Sequence, residues 1–197
     1  MAKKRAKVLN EAQLSKLLTY LDAKSTMPER DKLVVLLTFK AGLRVGEVAK
    51  IRTSHMLDVT GRPANVITVF GSVAKGGRCR EVPMHPDIRH ALVAFLEKYP
   101  KAKHVALARR KTCGNRSGCT SANALTVWFS RIYREAGFSG TSSHSGRRTF
   151  GTNLARACYS HQATLIDVQR LLGHRMLSTT EAYVEPTEHA RALVCAA

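Results

Sequence analysis

The longest apolar run in the chain, Leu33–Phe39 (LVVLLTF), is seven residues long. That is far short of the roughly 20 apolar residues a membrane-spanning helix needs, and it suits a helix buried in a globular core. Pro28 fits the first turn of that helix, and Gly42 stops it near Ala41. A chain of 197 residues can bury such a helix within one well-cored domain, with room for a short appendage. The hydrophobic share of 44% argues against wholesale disorder.

Other helices read from the same periodicity. Asn10 can cap a helix, with Gln13 closing a capping box and Leu14, Leu17, Leu18 and Leu21 on one face. Arg44 opens a short helix within Leu43–Ile51, and Pro86 starts one carrying Ile88, Leu92, Phe95, Leu96 and Tyr99. Further patterns cover Ser121–Ala136, Ser145–Tyr159 and Ala163–Leu172. Leu125, Trp128, Phe129, Ile132 and Ala136 keep helical spacing and read as core. Between Leu57 and Val82 the pattern changes to β-branched runs broken by Gly, Pro and Asn. Strands are expected near Leu57–Val59, Asn65–Phe70 and Arg78–Val82, with AKGG as the second turn. The fold class is therefore α+β, mainly α-helical, with a small three-stranded antiparallel sheet.

Lys and Arg number 32 against 14 Asp and Glu, a net charge of +18. Such an excess is the footprint of a polyanion binder, most often nucleic acid, although a basic protein with no chemistry has it too. Lys101–Gly118 holds six Lys or Arg and no acid, and reads as a partly exposed loop facing the partner. The five cysteines include no C-x-x-C pair, which disfavours a disulfide framework and fits a reducing compartment. Cys113, Cys119 and His104 miss the usual zinc-ligand spacings, so a loop is the better reading there. The basic start MAKKRAK meets Asn10 and Glu11 before any apolar region and is no secretory signal.

Four patches could carry chemistry: AGLRVGEVAKI around Arg44, AKGGRCREVPM around Lys75, HSGRRTF with His144 and Arg147, and LLGHRMLSTTEAYVEP with His174 and Tyr183. Singly each has a structural explanation, such as an Arg44–Glu47 helix pair or a histidine at a helix end. In order, Arg, Lys, H-x-x-R, L-G-H and a Tyr nine residues later resemble the signature of the tyrosine recombinases, or phage integrase family. The surrounding letters resemble that family too: a GLR-x-x-E box including Glu47, a GKG hairpin ending in Val-Pro, and an LLGH…TT…Y segment. The resemblance runs from about Asn10 to Pro186.

The resemblance implies the tyrosine-recombinase catalytic-domain fold and a site-specific recombinase or integrase that cleaves and rejoins double-stranded DNA. Arg44 and Arg147, assisted by His174, would grip the scissile phosphate, because guanidinium forks stay charged and bind phosphate bidentately. Tyr183 would be the nucleophile. A phenol with an ordinary pKa near 10 is ionised to about one part in a thousand at pH 7, so it needs a base and a cationic pocket. By the same resemblance His144 is the base or proton shuttle, and Lys75 the general acid for the 5′-oxygen. A 3′-phosphotyrosyl bond conserves the energy of the broken backbone, so neither cofactor nor metal is called for. The sequence accordingly has no P-loop and no evident carboxylate cluster for Mg²⁺.

Residues 1–9 read as a basic extension or linker remnant, 10–186 as the catalytic domain, and 187–197 as a helical tail placed to contact a neighbouring protomer. Family members commonly add an N-terminal clamp domain, so this chain alone is expected to bind DNA weakly and with little specificity. The expected partners are DNA and three further copies, forming a tetramer on paired sites that associates weakly without DNA. The expected location is cytoplasmic and DNA-associated. Arg148 would neutralise phosphate. Gly146, unusual between His144 and Arg147, would let backbone approach a phosphate. The polar spacer RMLSTTEA would be a movable segment delivering Tyr183. The competing readings are a type IB topoisomerase-like enzyme and a catalytically silent DNA-binding module of the same fold.

Overall fold

The computed structural model describes residues 6–74, 77–108, 118–158 and 160–184. Among these, the helices are α1 (Glu11–Lys24), α2 (Pro28–Phe39), α3 (Val45–Lys50), α4 (Pro86–Lys98), α5 (Ala122–Glu135), α6 (Ser145–Ala157), α7 (Leu165–Leu172) and α8 (Leu177–Glu181). Strands β1 (Val66–Val69) and β2 (Arg80–Pro83) form an antiparallel pair, with Val66 opposite Pro83 and Val69 opposite Arg80.

The helix built on LVVLLTF is the centre of the molecule. Leu33, Val34, Val35, Leu36, Leu37 and Phe39 are all buried, and α2 packs against α1, α3, α4 and α6. A helix apolar on every side is stable only when other helices cover it. The covering helices are amphipathic as expected: α1 buries Leu14, Leu17 and Leu21, α4 buries Ile88, Leu92 and Phe95, and α5 buries Leu125, Trp128, Phe129 and Ile132. The Asn10–Gln13 capping box starts α1, Pro86 lies in the first turn of α4, and Gly42 ends the α2 region at φ +63°.

Among the described residues the sheet has two strands rather than three. Leu57 makes only an isolated bridge to Pro63. The Asp58 carboxylate accepts hydrogen bonds from the main-chain N–H of Thr60 and of Arg62, and this local turn competes with a ladder. Gly61, at φ +79°, completes the reversal. The basic loop is also more ordered in its described part than its composition implies. Val105 and Ala106 are fully buried, and Val105 donates to the Ile51 carbonyl. Arg109–Ser117, with Cys113, lies outside the described residues, as do Lys75 and the tail from Glu185. The spacer before Tyr183 is helix α8 with its Thr180 buried, not an open segment.

Gly146 has a packing role instead of a phosphate-facing one. It is buried where α6 meets α2, and a Cβ there would overlap Thr38 Oγ1 and the Phe39 ring. That close approach brings Arg147 against the α2–α3 turn. Replacing Gly146 with Ala should destabilise the fold by about 1–3 kcal/mol through overpacking, more than the roughly 1 kcal/mol that helix propensity returns. Gly46→Ala in α3, where a Cβ meets nothing within 4 Å, should be neutral or slightly stabilising. Thermal melts should place Gly146→Ala below wild type and Gly46→Ala at or slightly above it; a Gly146→Ala midpoint at or above wild type would refute this packing role.

Candidate active site

Five of the six residues singled out in the sequence are described, and all five line one open cleft of about 360 Å³: Arg44, His144, Arg147, His174 and Tyr183. They come from three places in the chain that the fold brings together. Arg44 is the N-cap of α3, His144 and Arg147 open α6, and His174 and Tyr183 flank α8. Lys75 lies outside the described residues.

Arg147 is 4% exposed and joins the two turns beside it. Its Nη1 donates to the Gly42 carbonyl and its Nη2 to the Leu172 carbonyl, each at 2.6 Å. These bonds use two of the five N–H donors of a guanidinium and leave three for a ligand. Burial, and then the nearby Arg44 charge, pulls the Arg147 pKa down to about 10. The group is still cationic at neutral pH, but its charge is poorly compensated and an arriving anion would relieve it.

Arg44 is held from below by Glu47. The carboxylate accepts from Arg44 Nη1 at 3.1 Å and from the Arg44 main-chain N–H at 2.8 Å. It also accepts both guanidinium arms of Arg80, at 2.9 and 2.8 Å, while Arg80 Nε donates to the Leu171 carbonyl at 3.1 Å. Burial alone would raise the Glu47 pKa. The Arg80 hydrogen bonds and charge, helped by Arg44, outweigh it and hold the carboxyl below its ordinary value. Arg80 thus connects β2 to α3 and to the end of α7. The sequence reading assigns it no role; its one signal was its place in the hairpin box, two residues before Val82-Pro83.

Gly173 ends α7 in the left-handed conformation at φ +63°, with the Arg80 side chain against it, and turns the chain so that His174 faces the cleft. His174 Nδ1 lies 2.9 Å from Thr180 Oγ1. Burial first, then the charges of Arg147, Arg44 and Arg80, depress its pKa to about 4, so the ring is neutral at pH 7. The Tyr183 ring stacks on it at 5.5 Å between centroids. On its other side that ring rests on Gly151, where a Cβ would come within 2.7 Å of Tyr183 Cδ1. Tyr183 is half-buried, with Phe150, Leu154 and a small cluster of Cys158, Val168 and Leu172 around it. Of the other described tyrosines, Tyr20 donates to Glu135, Tyr99 packs on Phe95, and Tyr133 is 1% exposed. None of them lines the cleft.

His144 is exposed at the rim, at φ −93° and ψ −8°. Its main-chain N–H donates to Ser142 Oγ, and Ser145 Oγ accepts from the Ser142 N–H, which fixes the loop ahead of α6. Arg148 also lines the cleft, but one arm donates to the Ala6 carbonyl at 2.9 Å. With the Thr149 Oγ1 bond from the Leu9 N–H, this pins residues 6–9 along α6. A second groove of about 770 Å³ adjoins the first between β2 and α7, and Arg78, Arg170 and Arg175 line it. Such an arrangement can hold a phosphate between guanidinium and imidazole donors with one phenol beside it.

Comparison with known proteins gives the family and the fold. The model of the phage integrase family matches residues 7–189. A tyrosine recombinase XerD from Ralstonia nicotianae is 30% identical over 183 residues, which cover 90% of this chain and 55% of the relative. The chain thus spans about half the length of that curated relative. Among solved structures, a XerA recombinase superposes with a TM-score of 0.70 at 18% identity, covering 100% of this chain and 64% of the other. A XerH site-specific recombinase bound to its difH substrate does so with a TM-score of 0.68 at 22% identity, covering 100% and 55%. These structures share the fold.

The site's electrostatics predict a pH dependence of stability. His174 has a folded pKa of about 4 against an ordinary 6.5, and Glu47 lies below its ordinary 4.5. On acidification the unfolded chain binds protons before the folded one, so the His174 contribution is complete above its ordinary 6.5 and the Glu47 contribution above its ordinary 4.5, and each declines below that value. The His174 part should fade between pH 6.5 and 4, and the Glu47 part as pH falls from 4.5 through its lowered value. Urea melts across this range should show a smaller acid loss for His174→Gln in the upper window and for Glu47→Gln in the lower. Profiles parallel to wild type would contradict the assignment.

Proposed function

The chain belongs to the phage integrase family, and from that premise we propose that it is the catalytic domain of a site-specific DNA recombinase, cleaving and rejoining strands through a 3′-phosphotyrosyl intermediate. The observation that carries this reading is the convergence of Arg44, His144, Arg147, His174 and Tyr183 on one cleft.

In the proposed reaction a scissile phosphate occupies the cleft. The free donors of Arg147, the Arg44 guanidinium and the neutral His174 ring hold its non-bridging oxygens. Their charge and hydrogen bonds strengthen as negative charge gathers on the pentacoordinate phosphorus. Tyr183 Oη attacks phosphorus, and His144 takes the phenolic proton at the cleft rim. The P–O5′ bond breaks as Lys75 protonates the leaving oxygen. The products are a 3′-phosphotyrosyl bond and a 5′-hydroxyl. Attack by another 5′-hydroxyl reverses the chemistry and restores the backbone.

The partner in this reading is double-stranded DNA. The +18 charge and the basic groove beside the cleft support it, since Arg78, Arg170 and Arg175 can neutralise phosphates on either side of the cut. Recombination further implies four protomers on two sites. Exposed Ile166, Met176 and Leu177 on and around α7 and α8 offer an apolar surface for such contacts. No described helix is long and apolar enough to cross a membrane.

A pool of nicked duplexes with randomised central sequence, which lets the cleaved strand diffuse away, tests the reading. Wild type should accumulate a detergent-resistant protein–DNA adduct and Tyr183→Phe none. Arg147→Ala should slow adduct formation by roughly 100- to 1000-fold, the cost of losing one preorganised donor. A wild type that yields no adduct, or an undiminished adduct in Tyr183→Phe, would overturn the proposal.

A further inference from the structure

A histidine that donates to phosphate must carry its proton on the nitrogen facing the cleft, and a residue outside the six motif positions bears on this. His174 Nδ1 lies 2.9 Å from Thr180 Oγ1, and Thr180 is fully buried. Two hydroxyls of α5 bond the carbonyl one turn back instead, Thr126 to Ala122 and Ser130 to Thr126. Among the described residues Thr180 Oγ1 has no partner except His174 Nδ1. If the imidazole proton sat on Nδ1, the hydroxyl would accept it, and the hydroxyl's own proton would be buried with nothing to receive it. With Nδ1 bare, Thr180 donates, both groups are satisfied, and the ring proton belongs on Nε2.

We propose that Thr180 is a positioning residue that holds His174 in the Nε2–H tautomer, so that the neutral ring offers one fixed hydrogen bond to the scissile phosphate. The role of that phosphate rests on the reaction proposed above; the tautomer does not. The residue is also fixed by its main chain and by its stacking partner. Its main chain is pinned from α7, where the His174 N–H donates to the Gln169 carbonyl and Gln169 Nε2 donates to the His174 carbonyl. The charged groups acting on it are Arg147 of α6, Arg44 ahead of α3 and Arg80 of β2, and Tyr183 stacks on it from beyond α8. Together with burial these cations oppose protonation of the ring, so the tautomer decides what it donates. Thr180 also receives the Tyr183 N–H on its carbonyl at 2.9 Å. Side chain and main chain of one residue thereby couple the phosphate ligand to the nucleophile.

Long-range ¹⁵N NMR of the imidazoles in the DNA-free chain at pH 7, with cleavage of the nicked pool, tests this. Wild type and Thr180→Ser should both show His174 as Nε2–H and cleave within about twofold of each other. Thr180→Val should show mixed tautomers and cleave about tenfold more slowly. An Nδ1–H ring in wild type, a Val variant with unchanged tautomer and rate, or a Ser variant as impaired as Val would each overturn the proposal. The wild-type and Ser spectra decide the matter even where the Val variant fails to fold. An Nε2–H ring in a protein that forms no adduct would support the positioning role while overturning the reaction itself.

Discussion

The site depends on one buried guanidinium. A charge withdrawn from water is costly unless hydrogen bonds compensate it, and Arg147 is compensated only in part, by two main-chain carbonyls, Gly42 O and Leu172 O. Each lies two residues before a side chain of the cleft: Gly42 before Arg44, and Leu172 before His174. Both turns use a glycine at φ +63°, a conformation other residues adopt only with strain. Arg147 therefore serves as scaffold, and in the proposed reaction as phosphate ligand too. Gly146 beside it permits the close approach of α6 to α2 that puts the guanidinium within reach.

Around that anchor the charges are arranged unequally. Arg44, Arg80 and Arg147 converge, and Glu47 is the acid that answers them, occupied by Arg44 and Arg80. Burial first, and then the surplus of positive charge, depresses the pKa of both Arg147 and His174. A structure optimised for stability alone would add acids here. Keeping the surplus makes the cleft a receptor for an anion and leaves the imidazole a neutral donor.

Much of this was legible in the sequence because it rests on local chemistry. The capping box at Asn10, the apolar faces of α4 and α5 and the prolines opening α2 and α4 all follow from short-range rules, and the structure has them. The site letters were legible through their order, and the fold gathers the five that are described. What escaped were features decided by tertiary contact. The Asp58 side chain turns an alternating segment away from the sheet. Thr180 lies buried in a helix with its hydroxyl against His174, which no periodicity in RMLSTTEA announces. Arg80 looked like one more cation in a basic chain until Glu47, 33 positions earlier, proved to be its partner. Gly146 looked like a ligand-facing glycine because helix–helix distance cannot be read along one strand of sequence.

The central claim is that, of the chain's five tyrosines, the half-buried one stacked on His174 is the group that bonds to DNA. Mapping the attachment site in trapped covalent complex by peptide mass spectrometry tests it most directly. The nucleotide mass should reside on the peptide carrying Tyr183, at the phenolic oxygen. Attachment at Tyr20, Tyr99, Tyr133 or Tyr159, or at a serine or histidine, would contradict it.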